Sequence, residues 1–185
     1  KEACNHIRIV LLDVGLNGLR IHIKAEVPRK LYWADRKGLL IMQDIPNIGG
    51  PPNEYGRRNW EYTAINQFDR DYNHPCIFSY VLFNETWGLF STNENGKRGY
   101  TKETQDWVRS WYHKAKAFDP TRLVEDNSPC NLDHVITDIK AYHADLKDSQ
   151  YLQDVCQRLK PRLQSQGLLW STVLADTGFS SGENY

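Results

Sequence analysis

The sequence predicts an α/β fold in which parallel strands alternate with covering helices. Three observations carry that expectation. Short apolar runs recur along the chain, separated by segments whose apolar residues fall three and four apart, as strands and amphipathic helices require. The strand candidates carry apolar runs, as in "CIFSYVLF" (Cys76–Phe83), which suits strands buried on both faces. The connecting segments are long enough for helical crossovers, which link parallel neighbours with a right-handed turn. The 185 residues are enough for one domain with a real core, and 1–185 is expected to form a single domain. Six strand candidates fit either an open doubly wound sheet or most of an eight-stranded barrel.

Each element has its own signal. Glu2–Val14 carries Ile7, Val10, Leu11 and Val14 as a helical stripe, with Gly15 as a stop. "LNGLRIHI" (Leu16–Ile23) reads as the first strand. Pro28 opens a short helix and Gly38 closes it. "LLIMQDI" (Leu39–Ile45) is the second strand, followed by the Gly/Pro loop "PNIGGPPNEYG", long enough to be functional. Trp60, Ala64, Phe68 and Tyr72 lie four apart and predict a helix over 59–72. Cys76–Phe83 is the third strand. Trp107, Val108, Trp111, Ala115 and Phe118 mark a helix that ends at Asp119-Pro120. "TRLVED" and "HVITDIKAY" follow as strands, with room between Asp126 and His134 for a turn or two only. Leu152, Val155, Cys156, Leu159 and Leu163 mark a last helix, shortened or kinked by Pro161, before "LLWSTVL" as the sixth strand.

The bulk numbers narrow the function. Basic and acidic residues balance at 23 each, which speaks against nucleic acid or an anionic membrane as partner. No apolar run reaches the roughly 18 residues of a membrane span, and no leader pattern is visible at the N-terminus. Cys4, Cys76, Cys130 and Cys156 are scattered without a Cys-x-x-Cys pair, so a zinc site is not expected; no other metal-ligand cluster with convincing spacing is visible, and no cofactor is expected. Six Trp and ten Tyr fill cores, and they also suit the apolar C–H face of a sugar.

Polar residues gather where the strands end. His22 and Lys24 follow the first strand, Gln43, Asp44 and Asn47 the second, and Asn84, Glu85 and Trp87 the third. Glu125, Asp126 and Asn127 close the fourth, and Tyr142 and His143 the fifth. In parallel α/β architectures these C-terminal ends form one face, which carries the active site. A carboxylate there beside an amide, His and Trp suits acid–base chemistry on a neutral polyhydroxylated substrate. No Gly-rich phosphate loop and no Gly-x-Ser-x-Gly elbow follows any strand.

Four blocks in order carry a family resemblance: "GLNGLRIHIKAEVPRKLYWADRKGLLIMQDIPN", "NHPCIFSYVLFNETWG", "FDPTRLVEDNS" and "HVITDIKAYH". They resemble the catalytic barrel of glycoside hydrolase family 2, whose members include β-galactosidases, β-glucuronidases and β-mannosidases. The resemblance implies a partial (β/α)8 TIM barrel with about six of eight strands, lacking the first and last strands and the preceding β-sandwich domains. It implies a retaining two-carboxylate mechanism on terminal β-glycosides, with Glu85 as general acid/base and Asn84 on the sugar 2-hydroxyl. It implies strand-end positions facing the sugar for His22 and His143. Arg20 matches the family's strand Arg, more a positioner of carboxylates than a sugar ligand. Asp44 and Trp87 complete the expected substrate site, with a turn cap for Asp44 and core packing for Trp87 as the alternative readings.

The chain departs from the family pattern at the second carboxylate. The nucleophile's place falls on Thr172 or Val173, depending on whether the strand start or the trailing Gly178 and Gly182 are aligned. Asp176 and Glu183 are the nearest acids. A catalytically inactive carbohydrate-binding relative is therefore the alternative expectation, and an endo-acting barrel glycosidase a third. An unclosed barrel would leave bare edges, so self-association through those edges is expected. Compartment and sugar are open.

Overall fold

The computed structural model describes residues 17–141, apart from 93–95, 97 and 129–133. The elements run β1 (Gly18–Ile21), α1 (Pro28–Lys37), β2 (Leu40–Asp44), α2 (Glu54–Asp71), β3 (Ile77–Phe83), β4 (Ser91–Thr92), β5 (Arg98–Gly99), α3 (Lys102–Phe118) and β6 (Leu123–Asn127). The predicted first helix, last helix and sixth strand lie outside the described residues.

β1, β2, β3 and β6 form one parallel sheet in that spatial order. The order never reverses among the described strands. A doubly wound sheet reverses at its switch point, whereas a barrel winds round in chain order. β4 and β5 make a separate two-stranded antiparallel pair between β3 and α3.

Register assigns the two faces. Gln43, Tyr80 and Val124 form one row, and Asp44, Val81 and Glu125 the next. Ile21, Ile41, Tyr80, Leu82 and Val124 belong to the apolar cluster that also holds Leu31 and Ala34 of α1, Trp60, Ala64 and Phe68 of α2, and Val108, Trp111 and Ala115 of α3. The helices therefore cover this face. The opposite face carries Arg20, Asp44 and Glu125 among the apolar Met42 and Val81, so its charged groups gather toward the strand ends.

Each helix shows why it starts and stops. Pro28 occupies the first turn of α1, and Gly38 closes it at φ +68°, donating to Ala34 O and Asp35 O. α2 begins at Glu54, five residues before the expected 59, because Asn53 caps it by accepting from Gly56 N at 2.7 Å. Thr101 caps α3 in the same way, accepting from Thr104 N at 3.2 Å. Trp60 stacks on Phe83 at 4.5 Å and meets Trp111 edge-on at 5.1 Å. Trp107 and Trp111 both donate their indole N–H to Glu61 Oε1 at 2.8 Å, so these large rings bury without losing their polar partners.

The fifth strand expected at His134–Tyr142 does not form over the described residues 134–141. Side chains take the place of the ladder. Asp138 N donates to Val124 O at 2.9 Å, but Val124 N donates back to the Asp138 carboxylate at 3.0 Å. The Asp126 carboxylate accepts Val135 N at 2.7 Å and Ile136 N at 3.1 Å. With acids answering those amides, backbone pairing is interrupted.

Candidate active site

β1, β2, β3 and β6 end at the same edge of the sheet. Arg20, next to last in β1, aims its fork along this edge. Nε donates to Asp44 Oδ1 at 2.9 Å and Nη2 to Asp44 Oδ2 at 2.8 Å. The same Nη2 reaches Asn84 Oδ1 at 2.7 Å and Ser128 O at 3.2 Å. One guanidinium thus joins the ends of all four parallel strands, which its planar donors suit.

Asp44 is 1 % exposed. Its carboxylate is held by Arg20, by Ile23 N at 2.9 Å, and lies 3.6 Å from His22 Nδ1. Burial pushes its pKa up, while the Arg20 fork and the Ile23 amide pull the other way. Asp44 thus anchors the Arg20 fork at the end of β2. His22 is partly open to solvent.

Asn84 is buried. Arg20 donates to its Oδ1, which fixes the amide so that Nδ2 faces away as a donor. Its backbone is clamped by Asn47, which accepts Asn84 N at 3.2 Å and donates to Asn84 O at 3.3 Å. The turn that follows is tight. Glu85 and Thr86 lie at φ +50° and +61°, left-handed conformations that cost non-glycine residues about 1 kcal/mol or more each. They are over-determined by neighbours. Glu85 N donates to Ser128 O at 3.3 Å, Thr86 N to Asn127 Oδ1 at 2.9 Å, and Trp87 N to Asn84 O at 3.0 Å. Gly88 at φ +77° lets the chain pass Ile48, where a Cβ would lie 2.4 Å from Ile48 Cβ.

The result is a partly exposed Glu85 side chain at the strand mouth. Trp87, half exposed, donates its indole N–H to Glu85 Oε2 at 3.2 Å. A carboxyl held there can give a proton to, or take one from, a molecule resting above the strand ends, with the Asn84 amide next to it as donor.

Six of the seven expected site residues fall within the described residues. Arg20, Asp44 and Asn84 share one hydrogen-bonded network with His22 beside it, and Glu85 and Trp87 pair. His143 lies outside the described residues, as do Thr172, Val173, Asp176 and Glu183. Asn47, Asn127 and Ser128 also hold this turn. Asn47 and Asn127 were visible as polar strand-end residues, but only the pairing of β3 with its neighbours shows that they clamp residues 84–86.

Among the described residues, one group has metal-ligand character: Asp35, His74 and Cys76, whose ligand atoms lie within 4.8 Å of one another. Both Asp35 oxygens are already engaged, by His74 Nδ1 at 2.6 Å and Cys76 N at 2.8 Å. Burial raises the Cys76 thiol pKa, against the thiolate a metal needs. The group lies at the opposite end of β3 from Glu85 and braces the turn into that strand.

Comparison with known proteins points one way. The chain is 28 % identical over 176 residues to the β-galactosidase BoGH2A of Bacteroides ovatus, a match covering 77 % of this chain and 21 % of that protein. Among solved structures, a β-glucuronidase of Parabacteroides merdae aligns with a TM-score of 0.64 at 18 % identity, over 86 % of this chain and 20 % of that one. A GH2 β-galacturonidase of Eisenbergiella tayi bound to galacturonate aligns at 0.63 and 19 % identity, over 95 % and 31 %. No family model matches the chain. The chain spans about a fifth of the length of that β-galactosidase.

Proposed function

We propose that this chain, a relative of the family 2 glycoside hydrolases, carries the acid/base half of a retaining site for terminal β-linked sugars. The observation that carries the reading is the Asn84–Glu85 pair at the end of β3, with the amide oriented by Arg20 and the carboxyl held by Trp87. Glu85 in its acid form gives its proton to the glycosidic oxygen as the bond to the anomeric carbon breaks and the electron pair leaves with that oxygen. Its carboxylate then takes a proton from the water that attacks the anomeric carbon and displaces the nucleophile that bonded there in the first step. Asn84 Nδ2 holds the sugar 2-hydroxyl, a contact that strengthens as the ring gains oxocarbenium character. His22 and His143 read further hydroxyls, while Arg20 and Asp44 position.

The retaining mechanism needs a second carboxylate about 5 Å from the first, and Thr172 or Val173 stands at its place in sequence. That favours a second reading, a carbohydrate-binding relative without turnover. A panel of activated aryl β-glycosides, assayed with and without azide on a chain shown to be folded by circular dichroism, separates the two. Azide can attack the anomeric carbon where the protein offers no nucleophile. Turnover that needs azide supports the glycosidase reading with a missing nucleophile. Turnover without azide places a working nucleophile elsewhere, at Asp176 or Glu183. A folded chain inert in both supports the binding relative.

A further inference from the structure

Glu125 is fully buried, at 0 % exposure, on the interior face of the sheet in one row with Asp44 and Val81. Its Oε1 accepts Ala141 N at 3.0 Å, and its Oε2 has no hydrogen-bond partner. A buried carboxylate oxygen without a partner disfavours ionisation, so this group is poised to carry a proton. The charged groups that face it are Arg20 from β1, which attracts the ionised form, and Asp126 from its own strand, which opposes it. Asp44, in its row on β2, is committed to Arg20. The Ser128 hydroxyl and Ala141 N–H also favour the ionised form, but burial outweighs all three and lifts the carboxyl to about 7.

Arg20 is the link to the site. The same Nη2 that orients Asn84 also bonds Ser128 O, on the residue whose hydroxyl faces Glu125. We propose that Glu125 is a positioning residue whose gain or loss of a proton decides how firmly Arg20 holds the Asn84 amide. With Glu125 neutral, Arg20 stays with Asp44 and Asn84. With Glu125 ionised, a second carboxylate competes for the guanidinium and the Asn84 side chain loosens. The inference deepens the proposed function, and only its consequence for sugar binding rests on that reading.

The side-chain amide of Asn84 is the direct reporter. In ¹⁵N-labelled full-length chain, assigned by the loss of its signal in Asn84→Asp, that amide is followed across about pH 5.5 to 8.5. The expected result is a shift with a midpoint near neutrality, tracked by the Arg20 Nε–H and absent in Glu125→Gln. An Asn84 amide that stays still in the parent chain overturns the proposal, even if Glu125→Gln does not fold. A shift that persists unchanged in a folded Glu125→Gln overturns it as well. Affinity for a non-hydrolysable aryl thio-β-glycoside, measured over the same range, is expected to fall several-fold as pH rises in the parent and to stay flat in Glu125→Gln. A moving amide with no thioglycoside binding at any pH would sustain the Glu125 assignment and count against the sugar reading alone.

Discussion

Arg20 is the residue on which the site's geometry turns. Its side chain is 10 % exposed and Asp44's 1 %, so the pair is buried, and removing one partner leaves an uncompensated charge. Arg20→Ala is expected to cost about 3 kcal/mol or more in a denaturant titration. Arg20→Ala combined with Asp44→Asn is expected to recover part of that loss, because the stranded charge is gone. Additive losses would show that the two residues do not act as a pair. Arg20 and Asp44 were legible in the sequence as strand-end polar residues. Their bidentate contact was not, because it depends on the parallel register that sets Arg20 beside Met42 and Asp44 beside Val81. Glu125 was visible as an acid at a strand end, but its face and its missing partner appear only once β6 is paired with β3.

Elements obey local rules, and their exceptions have local causes. α1 runs from Pro28 to Lys37 with Gly38 as its cap, as Pro-first, Gly-last spacing foretells. α2 starts earlier than its apolar periodicity, since the Asn53 cap lies inside a Gly/Pro-rich loop and carries no hydrophobic signal. Asn53→Ala is expected to lower stability by about 1 kcal/mol in thermal unfolding, and an unchanged midpoint would mean the cap is dispensable. The turn after β3 makes a sharper demand. Gly88 combines φ +77° with a Cβ position 2.4 Å from Ile48 Cβ. Gly88→Ala is expected to cost about 2 kcal/mol or more, and Gly88→Ala with Ile48→Ala is expected to recover the steric part only. The missing strand at 134–141 has the opposite origin. Its apolar, β-branched residues are strand formers, but Asp126 and Asp138 bind backbone amides that a ladder would use. Periodicity registers which face a residue prefers, not which acceptor its amide finds.

Across the described sheet, the helices cover one face and the other carries Arg20 with the buried Asp44 and Glu125, so stability is expected to depend on pH. Glu125 has a folded pKa raised from 4.5 to about 7, so the folded state holds its proton more tightly than the unfolded chain. The sign follows: its contribution is complete below about pH 4.5 and is lost as pH rises toward 7. Glu26, Asp35, Asp119 and Asp138 are lowered and act in the other direction, losing stability as pH falls. The difference between parent and Glu125→Gln isolates the one group. The variant is expected to gain on the parent by up to about 3 kcal/mol between pH 5 and 8. A constant difference over that range would place Glu125's ionisation elsewhere. The α/β class and the parallel pairing were readable from pattern and spacing, as was the gathering of polar residues at the strand ends. The winding in chain order, which favours a barrel over a doubly wound sheet, came only from strand adjacency.

The proposed function stands or falls on whether Glu85 protonates a leaving group at the mouth of β3. Its most direct test is the leaving-group dependence of aryl β-glycoside cleavage in the parent chain and in Glu85→Ala, both with azide present. If Glu85 is the acid, Glu85→Ala keeps most of its rate on dinitrophenyl glycosides, which depart without a proton, and loses about 100-fold or more on unactivated phenyl glycosides. Equal rates for parent and variant across the whole series would contradict the account.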